Sequence, residues 1–339
     1  MTSPTTTKSF ATMVLVAAAT AAVLLPMSSV LAPYSLILLC EVLVFAIACM
    51  GMKLVFGTAG LLSFGHATFF AVSAYAGAFL CRFTPVDSFE VYLIFGLSFS
   101  VLLAIALGFL CVRATRIHFT ILTLAFCQIV YSLFINGAVF DLFGGEGRAI
   151  YYVTEGSMYL PRLTLLGVQV GPHAFIPVFY NVIVVGFVAA AVLLWRIDGS
   201  PFGLALRAIR DNEVRAAAVG IRVRRYRWYA FILSGAFVAL AGSLYGQLNR
   251  QITPDQLDWL FSAKLVLAVV LGGSRQFLGP ILGAVLFVGL EEVALGWIVY
   301  HNAMLGVLLI AAVFLFPTGL ARAVAAVVAR LRPGTGGGR

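Results

Sequence analysis

Apolar residues in this 339-residue chain come in long continuous runs separated by short polar stretches. A bilayer core takes about 20 apolar residues per helix. Scanning for such runs marks ten: 10–32, 33–56, 67–81, 91–111, 119–140, 174–195, 229–246, 263–272, 280–299 and 303–317. The pattern predicts an all-α fold, a polytopic transmembrane helical bundle of about ten spans. Continuous rather than alternating apolarity excludes an outer-membrane β-barrel. The run 263–272 is short and ends in Gly272-Gly273, which suits a partial span or a re-entrant segment covered by protein. The first run follows Lys8 as a signal peptide's would. It is too long for one, however, and Pro33 directly follows the plausible cleavage site, so it reads as a span.

Composition then narrows the class. Hydrophobic residues make up 62% and charged residues 10%, against about 25% charged in an ordinary soluble domain. Mean hydropathy is +1.05. A soluble enzyme, a nucleic-acid module and a disordered scaffold are all excluded. The net charge of +9 has a topological explanation, because Lys and Arg gather in cytoplasmic loops. With ten spans and a cytoplasmic N-terminus, 17 of the 22 basic residues fall on the cytoplasmic side. The remainder are Arg82, Arg148, Arg162, Arg250 and Lys264. Seven of the 13 acids accompany them outside: Asp87, Glu90, Asp141, Glu146, Glu155, Asp255 and Asp258. If 57–66 is instead a break within one span, the N-terminus lies outside while the basic loops and the C-terminus stay cytoplasmic.

The five cysteines lie in or at the ends of apolar runs without metal-ligand spacing, and read as small core residues. The external loop 141–173 and the tail 318–339 leave no room for a soluble catalytic domain. No Gly-rich loop ending in Lys-Ser or Lys-Thr is present to hold a phosphate. The chain therefore reads as one transmembrane domain, 1–339, with no catalytic residues, no metal site and no cofactor of its own. Any ATP-driven work needs the nucleotide on another chain.

The cytoplasmic loop 196–228 is the most informative segment. Ser200 suits a helix N-cap, Pro201 the first helical position, and Gly220 a stop. The spacing predicts a helix over 201–220, with Arg207–Asp211 and Asp211–Arg215 paired four apart. Such a charged, capped helix fits either an interfacial helix on anionic lipid or a docking element for a cytoplasmic subunit. The run Arg222, Arg224, Arg225 and Arg227 suits lipid or orientation. Asp211 and Glu213 favour docking, since an anionic surface repels acids.

At this loop the chain resembles the inner-membrane permeases of branched-chain amino acid ABC transporters, of the M type. That family reads approximately Ser-x-Phe-Gly-Arg-Ala-Leu-x-Ala-Ile-Arg-Glu-Asp-Glu, then an Ala-rich stretch, then Gly-Ile. Phe202, Gly203, Ala205, Leu206, Ala208, Ile209, Arg210, Glu213, Gly220 and Ile221 match it. Leu204 stands where the family usually has Arg, and Asp211-Asn212 replaces Glu-Asp. The resemblance implies that 201–220 is a coupling helix, with Phe202, Gly203, Arg207, Arg210, Asp211, Glu213 and Gly220 carrying the ATPase contact.

Other motifs extend the likeness over roughly 35–320. Gly57-Thr-Ala-Gly60-Leu-Leu-Ser63-Phe-Gly65-His66-Ala resembles the family's Gly-Leu-x-Ser-x-Gly-His-Ala element. Its glycines fit either close packing or irregular backbone lining a polar path, and Gly60, Ser63, Gly65 and His66 are path candidates. His66 suits a bond to solute or a satisfied packing role. Thr120 and Thr123 in Phe119-Thr-Ile-Leu-Thr-Leu-Ala-Phe126 join the path candidates, or bond backbone within their own helix. Ionisable residues inside spans are expensive, so Glu41, Glu291 and Glu292 are singled out. Proton coupling and structural hydrogen bonding both fit them, and no basic partner lies in the same spans.

The resemblance implies a permease subunit of a bacterial ABC importer, in the inner membrane, working by alternating access. Its implied partners are a second related permease, two cytoplasmic ATPases holding ATP and Mg, and a periplasmic substrate-binding protein. The bilayer surrounds it, and no nucleic acid is involved. The rival reading is an ion-gradient-driven secondary transporter or channel using Glu41 and Glu291 or Glu292. A membrane enzyme is disfavoured, since no His-and-acid cluster converges at a span end.

Overall fold

The structure, a computed structural model, describes residues 18–295 apart from 115, 162, 166, 172 and 173, with isolated positions beyond 305. The start of the run 10–32, the end of 280–299, and most of 303–317 and of the tail lie outside the described residues. A short apolar helix covers 18–30. The named helices are then α1 Pro33–Lys53, α2 His66–Phe83, α3 Phe89–Cys111, α4 Arg116–Ile135, α5 Gly144–Thr154 and α6 Phe175–Gly199. They continue as α7 Pro201–Asp211, α8 Glu213–Ala218, α9 Val223–Asn249, α10 Trp259–Gly272 and α11 Gly279–Leu295. A small antiparallel pair, Met158–Tyr159 with Gln251–Ile252, ties the 141–173 loop to the end of α9.

Among the described residues, five helices are long and apolar enough to cross a bilayer: Pro33–Thr58, Phe89–Cys111, Ile117–Ile135, Phe175–Gly199 and Val223–Asn249. That is fewer than the ten apolar runs. The run 119–140 overshoots its helix, which stops at Ile135 because Gly137 takes a left-handed conformation, φ +75°. The run 229–246 undershoots, since α9 starts at Val223 and carries much of the basic stretch into the helix.

The layers follow from side-chain size. Helix α2 is buried on every face from His66 to Phe79, as befits the centre of the bundle. Helix α3 turns its small residues inward at four-residue spacing, Gly96, Ser100, Ala104 and Gly108. Its large ones, including Ile94, Phe99, Leu102 and Phe109, point outward. Small residues inside and bulky ones outside is the arrangement lipid favours, because tails solvate bulky apolar groups while small residues let backbones approach.

Contacts along α9 fix the directions of its neighbours. His66 meets Ser234, Phe70 meets Gly242 and Ala74 meets Gly246, so α2 runs parallel to α9. On α1 the order is inverted: Gly51 meets Ser234, while Glu41 shares a cavity with Tyr245. Helices α1 and α2 are therefore antiparallel. The stretch 54–65 reverses the chain and is not a kink within one span.

Candidate functional site

The segment after α6 folds back on itself. Helix α6 continues to Gly199, past the apolar run. Ser200 then turns extended, and its Oγ accepts from Gly203 N at 3.3 Å. A Cβ on Gly203 would lie 2.4 Å from the Asp198 carbonyl oxygen and 2.6 Å from that of Ile197, so this glycine lets α7 lie against the end of α6. Leu206 and Ile209 face inward with it, and the Phe202 ring stacks on Tyr226. Leu204 and Ala208 face outward.

The expected single helix over 201–220 is two helices. Asn212 turns extended, and its Oδ1 accepts from Arg215 N at 2.9 Å, capping α8. An Asn that can start a new helix competes with continuation of the old one. Gly220, φ +88°, closes the segment. The expected i,i+4 pairs give way to other partners. Arg207 turns to Asp198, while Asp211 pairs with its neighbour Arg210, both at 3.1 Å.

Glu213 also turns inward. Its carboxylate accepts from both terminal nitrogens of Arg227, at 2.9 and 2.8 Å. Arg227 is buried, so it leaves the basic run assigned to lipid or orientation, whereas Arg222, Arg224 and Arg225 stay exposed. The bidentate pair staples α8 to the first turns of α9.

Asp198 is the hub of a second cluster. Its carboxylate takes Lys53 Nζ at 2.8 Å, Arg207 Nη1 at 3.1 Å and the Thr58 hydroxyl at 3.3 Å. Arg207 Nη1 also donates to the Asp198 carbonyl at 2.9 Å. Helix α1 ends there in a π turn, Leu54–Thr58. Arg210 reaches this turn and donates to the Gly57 carbonyl at 2.7 Å. Its side chain lies over Gly60, φ +73°, where a Cβ would come within 2.5 Å of Arg210 Cγ.

Beyond the turn, the irregular backbone to Gly65 is pinned by the residues proposed for the path. The Thr120 hydroxyl donates to the Leu62 carbonyl at 2.8 Å. Thr123 Oγ1 accepts from Phe64 N at 3.3 Å. His66 is fully buried, with Nε2 2.8 Å from Ser234 Oγ and Nδ1 3.0 Å from Ser63 Oγ. Ser234 gives its one proton to the Gly51 carbonyl at 2.6 Å, so Nε2 carries the imidazole hydrogen and Ser63 donates to Nδ1. In this conformation Gly65, His66, Ser63 and Thr123 form a packed, hydrogen-bonded knot.

The three singled-out acids converge at the opposite end of α1. Glu41, Glu291 and Glu292 line a cavity of about 530 Å³, joined by Asp255 and Asp258 from the stretch before α10. Phe45, Phe70 and Phe261 form its aromatic wall. A basic partner does exist, on the neighbouring helix α10: Lys264 Nζ lies 2.7 Å from Glu291 Oε1. The Tyr34 hydroxyl donates to Glu292.

With this geometry in hand, comparison with known proteins decides the family. The model of the family described as branched-chain amino acid transport system / permease component matches residues 34–313. The chain belongs to this family. Among similar proteins is the high-affinity branched-chain amino acid transport system permease protein LivM of Escherichia coli K12. It is 27% identical over 298 residues, covering 82% of this chain and 68% of that protein. LivH of Salmonella typhimurium is 26% identical over 292 residues, covering 81% of this chain and 90% of LivH. The autoinducer 2 import system permease protein LsrC of Yersinia pseudotuberculosis is 29% identical, over 34% of this chain and 36% of its own length. No solved structure matches. This family member is a permease subunit of an ABC importer, a multi-pass membrane protein and not itself a catalyst.

Sequence reading had missed Asp198, Lys53 and Ser234 as site residues. The signal for the first two was charges of opposite sign, Lys53 and Asp198, near the ends of two apolar runs, where buried pairing satisfies both. Nothing in the sequence pairs Ser234 with a histidine 168 positions away.

Proposed function

We propose that this chain carries branched-chain amino acids, docking a cytoplasmic ATPase through α7–α8. The carrying observation is the two-sided character of that unit. Its inner face is bonded to the membrane helices through Asp198, Glu213 and the Arg210–Gly57 contact. Its outer face presents Leu204, Val214 and Val219, at 59, 80 and 73% exposure, with Ala217 and Ala218 between them. Apolar side chains held outward on a rigid polar-anchored element suit a protein groove better than water, and the exposed acid Asp211 disfavours anionic lipid.

In this reading two ATPases hold ATP and Mg, and a second related permease completes the membrane core. A periplasmic binding protein delivers solute, and both termini lie on the cytoplasmic side. Similarity to both a LivM and a LivH supports the permease pair. The solute passes by the cavity of about 530 Å³. There its ammonium group meets carboxylates, its carboxylate meets Lys264, and its branched side chain lies on Phe45, Phe70 and Phe261.

The test is affinity purification of the tagged chain with its neighbours from the host membrane. We expect an ATPase to co-purify with the wild type and to be lost from Leu204→Asp/Val214→Asp, both of which are exposed and make no internal bond. Retention of the ATPase by the double variant, with unchanged uptake of labelled leucine, refutes docking at this face. Uptake by the chain alone in liposomes, without ATP, refutes the importer reading.

A further inference from the structure

The docking unit and the solute cavity lie at opposite ends of one helix, and the contacts joining the unit to that helix are few and specific. Helix α1 spans about 30 Å over its 21 residues, with Glu41 and Lys53 separated by about 18 Å along its axis. At its foot, Asp198 binds Lys53, Thr58 and Arg207 at once, while Arg210 takes the Gly57 carbonyl. Lys53 keeps 8% and Asp198 22% of its side-chain exposure, so water competes little for this pair. Gly203 packed on the carbonyls of residues 197 and 198 leaves α7 no room to slide along α6. A push on α7 therefore arrives at residues 53–60.

What it meets there is a π turn. Ala59 N bonds to the Leu54 carbonyl at 3.1 Å, and Leu61 N to that of Val55 at 3.0 Å, both beyond α spacing. A π turn holds one residue more than an α turn, so it can shift register by a residue without unravelling its helix. The Gly57 carbonyl is a helix-end acceptor without an intrahelical donor, and the Arg210 guanidinium is its partner. A polar-anchored helix, a charged joint and a π turn are thus in series.

We infer that Asp198 and Arg210 are positioning residues that transmit movement of α7–α8 into the π turn of α1, and through α1 to the Glu41 cavity. The inference rests on the proposed docking of an ATPase. It adds that the link can be cut without detaching the ATPase, because neither residue lies on the outward apolar face.

The experiment uses the complete transporter, purified with its partner subunits and placed in proteoliposomes with binding protein and labelled L-leucine. Asp198→Asn and Lys53→Gln, which cut the joint from its two sides, are compared with wild type for ATP hydrolysis and for uptake. We expect the ATPase to remain bound and to hydrolyse at a near-normal rate, while uptake falls about tenfold, the size of a typical coupling energy. Asp198→Glu, which keeps the charge, should recover most of the uptake. Parallel loss of hydrolysis and uptake, or no loss of either, overturns the inference.

Should Asp198→Asn fail to assemble, Lys53→Gln, which removes the other half of the joint, carries the test, with Lys53→Arg as the variant that keeps the charge. Lys53→Gln is expected to hydrolyse ATP with uptake reduced about tenfold, and Lys53→Arg to recover most of it. Wild-type uptake by Lys53→Gln overturns the inference. Failure of any ATPase to accompany the wild-type chain strikes the proposed function instead.

Discussion

Glu213→Ala is expected to destabilise the protein by about 3 kcal/mol and to abolish transport, because it leaves a buried cation without an acceptor. Arg227 is 5% exposed, and its two terminal nitrogens each donate one hydrogen bond to Glu213. Its Nε is buried without a partner already, so there is little spare bonding to fall back on. Helix α8, six residues long, does not persist on helix propensity alone and depends on this staple and on its Asn212 cap. Thermal unfolding of the purified protein measures the stability, and hydrogen exchange over 212–221 measures the release of α8. The double variant Glu213→Ala/Arg227→Met separates the causes. Removing the charge along with its partner should restore much of the lost stability, since an apolar replacement has no unmet bonds. A double variant no more stable than Glu213→Ala contradicts the explanation.

What could be read from the sequence was whatever depends on neighbours in the chain. Ser200, Pro201 and Gly220 punctuate the segment 200–220 as expected, since capping is decided within a few residues. The apolar runs located the helices to within a turn or so at most ends. The break at Asn212 was legible in principle, because an Asn followed by an acid in the first helical turn is a start signal. The strength of the surrounding helix formers masked it. The tertiary pairings were not legible. Asp198 finds Lys53 across 145 residues and Glu291 finds Lys264 on a different helix. Charge alternation at i,i+4 competes with such partners and loses when a desolvated acid such as Asp198 can gather three donors. Thr123 bonds within its own helix, to the Thr120 carbonyl, as local spacing suggests, whereas the hold of Thr120 on the Leu62 carbonyl of the reversal has no local signal. An irregular buried backbone leaves acceptors that some side chain must satisfy. The reversal itself needed packing order along α9, which no local pattern contains.

Gly242→Ala should be among the most damaging single methyls in the bundle. A Cβ at this position would lie 1.8 Å from the Phe70 carbonyl oxygen and 2.5 Å from its carbon. Those are backbone atoms in the second turn of α2, in the stretch buried on all sides, so no side chain can swing away. Relief requires α2 and α9 to separate, which opens the tightest contact between two elements that carry most of the core. We expect a loss of about 3 kcal/mol from overpacking of this kind. The displacement also moves Phe70, which walls the cavity proposed to pass solute, so uptake should fall even where folded protein is recovered. Gly186→Ala is the control, since its Cβ would meet only Leu244 Cδ1 at an ordinary 3.5 Å. There the helix-propensity advantage of alanine, about 1 kcal/mol, is free to appear and stability should hold or rise. Comparing the thermal unfolding of the two variants in detergent isolates close approach from the generic loss of a glycine. Equal effects at the two positions would mean that α2 and α9 are not packed backbone to backbone as described.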